Sequence, residues 1–215
     1  MNKITNCLNK KECCLPVWFM RQAGRYLPEF REIRSKNPDF IKLCLNSSLS
    51  SQITLQPLDR FDLDAAIIFS DILLVPYGLG QKVEFIKNQG PILSPINLDI
   101  FLDMKENRFI EKVNPVYEAI KITKKKLEKT KSLIGFVGAP WTLLVYMMGI
   151  KKDKNTIDNE ILNKKKEEIN IIMEKLIFFL KIHIKEQVSA GANIIQIFDS
   201  WAGLIPNHLI NNYCF

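Results

Sequence analysis

Ala65-Ala66-Ile67-Ile68-Phe69-Ser70-Asp71 is an unbroken apolar run that ends in a hydroxyl and a carboxylate. A strand with one wet face alternates apolar and polar residues. One buried on both faces does not, and a continuous run of this length is the pattern of a parallel-sheet strand. Working outward, Leu133 to Val137 is the next buried strand, and Asn193 to Phe198 is a further one, ending in Asp199-Ser200. Upstream, Val17 to Met20 is a shorter candidate, followed by Arg21, Gln22, Ala23, Gly24 and Arg25. These four stretches are the expected core strands.

The segments between them read as helices. Pro28 suits a first helical turn, because its missing N–H is not needed there. That helix runs to about Lys36 and is broken by Asn37-Pro38, after which Asp39 can cap another. Ser48 to Asp62 follows, kinked at Pro57. Pro115 to Lys129 is amphipathic, with Val116, Ile120 and Leu127 on its apolar side. Trp141 to Met148 begins a helix, and Asn159 to Ala190 is a long one that carries His183 on its apolar side and stops at Gly191. Lys82 to Ile86 and Pro91 to Ile96 make a hairpin excursion, and Ile205 to Phe215 starts a last helix.

Strands separated by helical segments of ten or more residues define parallel βα units. The pattern alone fits an open Rossmann-like sheet or a barrel. The first βα turn has no Gly-x-Gly-x-x-Gly loop, which weakens the dinucleotide-binding form.

The 215 residues are 47% hydrophobic and 25% charged, enough for one globular domain. No apolar run reaches the roughly 18 residues of a membrane span, and Met1 to Cys14 contains no signal-peptide core. A cytosolic protein is expected, with residues 1–14 as a flexible N-terminus and 15–215 as a single domain. Cys7, Cys13, Cys14, Cys44 and Cys214 are odd in number and form no Cys-x-x-Cys, so neither a zinc site nor a disulfide framework is suggested. The net charge of +7 comes largely from lysines at 121–131 and 151–166. They lack interleaved aromatics and read as solvated faces, so nucleic acid is not an expected partner, nor is a membrane.

Polar groups stand at or just beyond the ends of these strands: Arg21 and Arg25, Asp71, Tyr146 and Ser200. Two arginines four apart after a hydrophobic strand suit a carboxylate or phosphate clamp, or else a solvated basic loop. Asp71 is a candidate for chemistry, or a helix cap for Ile72 to Val75. Tyr146 and Ser200 have bland readings as a half-buried tyrosine and an N-cap.

Pro16 to Arg25 closely resembles the N-terminal signature of the uroporphyrinogen decarboxylase family. Gly135 to Tyr146 resembles that family's second signature, departing from it at Gly149-Ile150. Phe69 to Leu73 and Ile197 to Gly203 match its substrate-facing segments, in the same order. The resemblance runs from about residue 14 to the end and implies a TIM-type α/β barrel. It also implies cofactor-free decarboxylation of the acetate side chains of uroporphyrinogen III, giving coproporphyrinogen III in haem biosynthesis.

The resemblance makes Arg21 and Arg25 grip substrate carboxylates, with backbone N–H groups near Gln22 and Ala23 assisting. It makes Asp71 the carboxylate that stabilises a cationic pyrrole. Tyr146 then hydrogen-bonds an acetate or holds Asp71, Ser200 contacts a carboxylate, and Arg21 is a candidate proton donor. It implies a homodimer. A family histidine on a later strand has no counterpart among the residues of this chain.

A barrel of this kind takes about 250 residues and eight strands, so the expected architecture is incomplete, about the first four βα units. That leaves a product of a longer gene, half of a split enzyme completed by a C-terminal chain, or a self-pairing unit. Functionally, the alternatives are a decarboxylase and a non-catalytic piece that binds a partner or a tetrapyrrole. A methyltransferase sharing the barrel is a weaker third, since it would want a zinc ligand set and no arginine pair.

Overall fold

The longest buried strand, Ser132–Gly138, is covered on both faces along nearly its whole length, which makes it the centre of a sheet. The computed structural model describes residues 2–11, 15–20, 22–86, 89–151 and 156–213. In chain order these form α1 (Lys3–Leu8), α2 (Pro28–Lys36), α3 (Phe40–Cys44), α4 (Ser47–Arg60), β1 (Ala65–Ile67), α5 (Leu74–Gly78), β2 (Val83–Ile86) and β3 (Gly90–Leu93). Then come α6 (Leu98–Asp103), α7 (Glu106–Lys126), β4 (Ser132–Gly138), α8 (Pro140–Met148), α9 (Asn159–Lys164), α10 (Lys166–Ala190), β5 (Ile194–Phe198) and α11 (Ile210–Tyr213).

The sheet has the order β1-β4-β5, and β1 runs parallel to β4 with Ala65, Ala66 and Ile67 opposite Ser132, Leu133 and Ile134. β2 and β3 form a separate antiparallel hairpin. The described residues therefore hold a mixed α/β fold with a three-stranded parallel-type sheet, and no closed barrel.

One strand expectation needs correction. Val17 to Met20 is not a strand. Its backbone meets the start of β1 only at Val17, whose N–H donates to Asp64 Oδ2 at 2.8 Å and whose carbonyl accepts from Asp64 N–H at 2.9 Å. Val17, Phe19 and Met20 are 43%, 62% and 55% exposed, so burial does not hold this segment to a ladder. The edge of β1 away from β4 is taken by a side chain instead. Gln22, 3% exposed, donates from Nε2 to Ala65 O (2.7 Å) and accepts from Ile67 N–H at Oε1 (3.2 Å). One carboxamide thus stands in for the peptide unit of a neighbouring parallel strand. The core strands number three rather than four.

Several helix boundaries also differ. α7 begins at Glu106, so Pro115 lies inside it rather than at its start. Phe109, Val113, Val116 and Ile120 are all 2% exposed or less. Their burial along one side outweighs the hydrogen bond that Pro115 removes. The helix expected over 159–190 is interrupted at Lys165 (φ −112°, ψ 24°). The polar N-terminus, for which the pattern gives no element, holds α1, capped by Asn2, whose side chain accepts from Thr5 N–H. Other local signals act as read: Pro28 opens α2, Asp39 caps α3, and Gly191 (φ 119°) ends α10.

The chain divides into two compact units of interleaved segments: 1–71, 113–136 and 184–196, and 72–112, 137–183 and 197–215. The first has a core of Leu27, Phe30, Leu43 and Ile53, against which Ala23 and Phe69 pack. In the second, Phe109 packs on Phe179 with ring centroids 4.9 Å apart, and His183 meets Phe109 edge-on at 6.2 Å.

His183 is the packing residue its helical position implies, and burial pushes its imidazole down to about 4 from 6.5. The unfolded chain takes a proton below pH 6.5 that the folded chain refuses until about pH 4. Stability from this residue is therefore complete above pH 6.5 and is lost as pH falls toward 4. Between pH 7 and pH 5 the expected loss is about 2 kcal/mol. Urea unfolding at both pH values measures it, and in His183→Gln this component of the difference should vanish.

Candidate functional site

In the first unit, three contacts fix the approach to Asp71. Ile68 N–H donates to Ile134 O at 2.9 Å, continuing the β1–β4 ladder. Phe69 N–H donates to Thr54 Oγ1 at 2.8 Å, and that hydroxyl donates in turn to Ser50 O. The Phe69 ring meets Phe30 and Phe40 edge-on at 5.7 and 5.9 Å. The chain leaves this aromatic cluster at Ser70 and Asp71, both half-buried. Asp71 is not the cap of α5: that position is Leu73, which makes no side-chain cap bond. The Asp71 carboxylate lies close enough to Cys44 to act on it. Burial pushes the Cys44 thiol well above its ordinary range, and the Asp71 charge adds to the shift.

Arg21 lies outside the described residues, as do Cys13, Cys14 and Cys214. Gln22 is spent on the β1 edge through its side chain. Ala23 packs on the core, and Gly24 opens a turn closed by Leu27 N–H on Gly24 O at 3.0 Å. The turn does not need a left-handed residue at Gly24, whose φ is not positive. Arg25 follows, exposed, and its carbonyl accepts from Arg31. Close by, Asp64 anchors the incoming chain. Burial pushes its carboxyl up, but the Val17 N–H and the Lys3 and Lys131 ammoniums outweigh burial and hold it below its usual range.

In the second unit, the residues after β5 are tied to the start of α8. Ala139 N–H donates to Phe198 O at 2.8 Å. Thr142 Oγ1 donates to Asp199 Oδ1 (2.6 Å) and accepts from Trp201 N–H (3.0 Å), while Trp141 Nε1 donates to Trp201 O (2.9 Å). Trp141 and Thr142 are both fully buried while Asp199 and Trp201 are half-buried, so this set of bonds is partly shielded from water. It places Ser200 exposed at the turn, between two pinned neighbours. Tyr146, one turn along α8 from Thr142, lies 5.8 Å from the Trp201 ring. The two rings line a groove of about 400 Å³ together with Pro91, Ile92, Val145 and Lys151.

The structure thus places Gln22, Ala23, Gly24, Arg25 and Asp71 in one unit and brings Tyr146 beside the Ser200–Trp201 turn in the other. The sequence reading passed over Thr142, Asp199 and Gln187. Asp199 was visible as a carboxylate after an apolar strand, the same signal that marked Asp71. Among the described residues no cluster of His, Cys, Asp or Glu is arranged to hold a metal ion, and no helix is long and apolar enough to cross a membrane.

Comparison with known proteins first defines the class. The fold matches a solved methyltransferase from Methanosarcina mazei with a TM-score of 0.77 at 18% identity, over 98% of this chain and 62% of that one. The shared class is a mixed α/β fold with a parallel sheet. Residues 3–215 match the profile of the uroporphyrinogen decarboxylase (URO-D) family, and the chain belongs to that family. A uroporphyrinogen decarboxylase of Campylobacter jejuni (serotype O:23/36, strain 81-176) is 44% identical over 205 residues, covering 94% of this chain and 60% of the relative. One from Orientia tsutsugamushi (strain Ikeda) is 45% identical over 221 residues, covering 99% and 63%. The chain spans about three-fifths of the length of these curated relatives.

Proposed function

We propose that this chain carries part of a uroporphyrinogen decarboxylase site, which converts acetate side chains of the tetrapyrrole to methyls. The observation that carries this is the family match over residues 3–215, supported by relatives near 45% identity that bear that name. In this reading the finer architecture is an incomplete TIM-type barrel, residues 15–215 act as one domain, and the rest of the site comes from the length of the relatives that this chain does not span. The working form is a cytosolic homodimer.

The chemistry is a carbon–carbon cleavage that needs a sink for two electrons. Protonation of a pyrrole carbon makes the ring cationic. The bond to the acetate carboxylate then breaks, carbon dioxide leaves, and its electron pair flows into the ring. The exocyclic carbon takes a proton to become a methyl and the ring carbon gives up the one it first accepted, which restores the neutral pyrrole, so the substrate supplies its own sink and no external cofactor is needed. Asp71, facing the pyrrole N–H groups, stabilises the transient positive charge. Arg21 and Arg25 hold propionate and acetate carboxylates, with help from backbone at Gln22, Ala23 and Gly24. Tyr146 and Ser200 hydrogen-bond carboxylates on the other side, and Arg21 is a candidate donor of the proton.

The test is formation of coproporphyrinogen from uroporphyrinogen III. It is run on the chain alone and mixed with a polypeptide spanning the remaining length of the Campylobacter relative. Product in either sample supports the proposal; none in a folded mixture that binds uroporphyrin would overturn it. The limited span favours a second reading, a non-catalytic piece that binds a tetrapyrrole or a partner chain, and that last outcome would select it.

A further inference from the structure

Among the described residues, Lys151 is the cation on the wall of the groove beside Tyr146, and no motif accounts for it. Lys151 Nζ lies 3.6 Å from the centroid of the Trp201 indole, on the ring face. None of the ion pairs among the described residues includes Lys151. The residue stands on fixed backbone. Gly149 (φ 62°) ends α8 in the left-handed conformation, where its N–H reaches Tyr146 O. Two residues on, Lys151 pairs with Ile157 in an antiparallel bridge, and Asp158 N–H donates to Ile150 O at 2.8 Å. Ile150 and Ile157, 0% and 7% exposed, anchor both sides of that bridge. Trp201 is equally fixed, its N–H and C=O both bonded to side chains at the start of α8.

An ammonium resting on an aromatic face keeps its charge available. Around it the groove offers Pro91, Ile92, Val145 and the rings of Tyr146 and Trp201. That combination, a flat apolar wall with a single cation at one end, matches a ring-shaped ligand that carries an acid group.

We propose that Lys151 is a carboxylate-binding residue of this groove: its ammonium pairs with one acid side chain of a ligand whose ring lies along Tyr146 and Trp201. The proposal rests on the decarboxylase reading, under which the ligand is a polycarboxylate porphyrinogen. It adds a contact one residue beyond Gly149-Ile150, where this chain departs from the family signature.

Uroporphyrin, the oxidised octacarboxylate, is the probe, and its binding to the full chain is followed by tryptophan quenching. Lys151→Gln should weaken binding about tenfold, the effect of one charge-assisted contact. Lys151→Arg should stay within about twofold of the unsubstituted chain, and the Lys151→Gln deficit should shrink at high salt. Uroporphyrin octamethyl ester, without carboxylates, should bind both forms alike. An unchanged Lys151→Gln affinity, with Arg25→Gln weakened, would overturn the role of Lys151 and leave the decarboxylase reading standing. An equal Lys151→Gln deficit with the ester would also overturn it, by assigning the loss to packing. Absence of uroporphyrin binding by the unsubstituted chain would overturn the role of Lys151, while the decarboxylase reading is decided separately by turnover in the mixed sample.

Discussion

Asp71→Asn is expected to lower uroporphyrinogen turnover by about 10²- to 10³-fold while leaving uroporphyrin binding nearly intact. Asparagine keeps the size of the side chain and its hydrogen-bonding oxygen but removes the charge. If the carboxylate acts on the cationic pyrrole, the loss falls on the transition state, where that charge develops, and hardly on the bound ground state. The neighbourhood supports a clean substitution. The backbone before Asp71 is held by bonds that do not involve its side chain, from Ile68 N–H to Ile134 O and from Phe69 N–H to Thr54 Oγ1. The charge also has an internal reporter. The Asp71 carboxylate helps raise the Cys44 thiol, so Asp71→Asn should bring that thiol part of the way back down, with burial holding the rest. Turnover is measured in the sample where the unsubstituted chain is active. Near-normal turnover, with the Cys44 shift relieved, would sink the role of Asp71.

What the sequence made legible was what local pattern determines. Continuous apolar runs mark β1 and β4 because a strand covered along its length leaves no polar positions to give it a period, whereas β5 is only half-buried, with Ile197 55% exposed. Pro28, Asp39 and Gly191 mark helix ends because each answers a requirement of one backbone position. The family signatures carried the candidate residues, and in the structure Tyr146 and Ser200 stand around one turn. What stayed hidden depends on partners distant in sequence. The expected first strand failed because Gln22, dozens of residues from β1 in the chain, fills the sheet edge with a side chain. No periodicity predicts a glutamine used as a strand. The same holds for Lys151 on Trp201 and for Thr142 on Asp199, contacts between residues about fifty or more positions apart. The start of α7 was missed for a different reason. Pro115 is a strong local signal for a helix beginning, and only the burial of Phe109 and Val113 overrules it.

Gln187 shows how much stability such a hidden contact carries, and its removal is the second large effect expected. This fully buried side chain on α10 accepts from Phe136 N–H at Oε1 and donates from Nε2 to Phe136 O, both at 2.9 Å. It reaches the strand by lying over Gly135. A Cβ built there would stand 2.5 Å from Gln187 Oε1 and 3.0 Å from the Ile195 side chain. The glycine therefore leaves room for the carboxamide, and the carboxamide satisfies a peptide group in the middle of the sheet. Gln187→Ala should cost about 2–4 kcal/mol, since it leaves a buried N–H and C=O without their partner and opens a cavity. Gly135→Ala should cost a similar amount in the native background, by pushing the carboxamide off Phe136. The two penalties should not add. Once Gln187 is truncated, the added methyl at residue 135 meets space where Oε1 had been, and the contacts with Ile195 Cδ1 (3.0 Å) and Ala192 Cβ (3.3 Å) are what still resist it. Urea unfolding of the two single variants and the double gives the cycle. A double variant well short of the summed losses supports a shared contact, whereas full additivity would mean that Gly135 is needed for some reason other than Gln187.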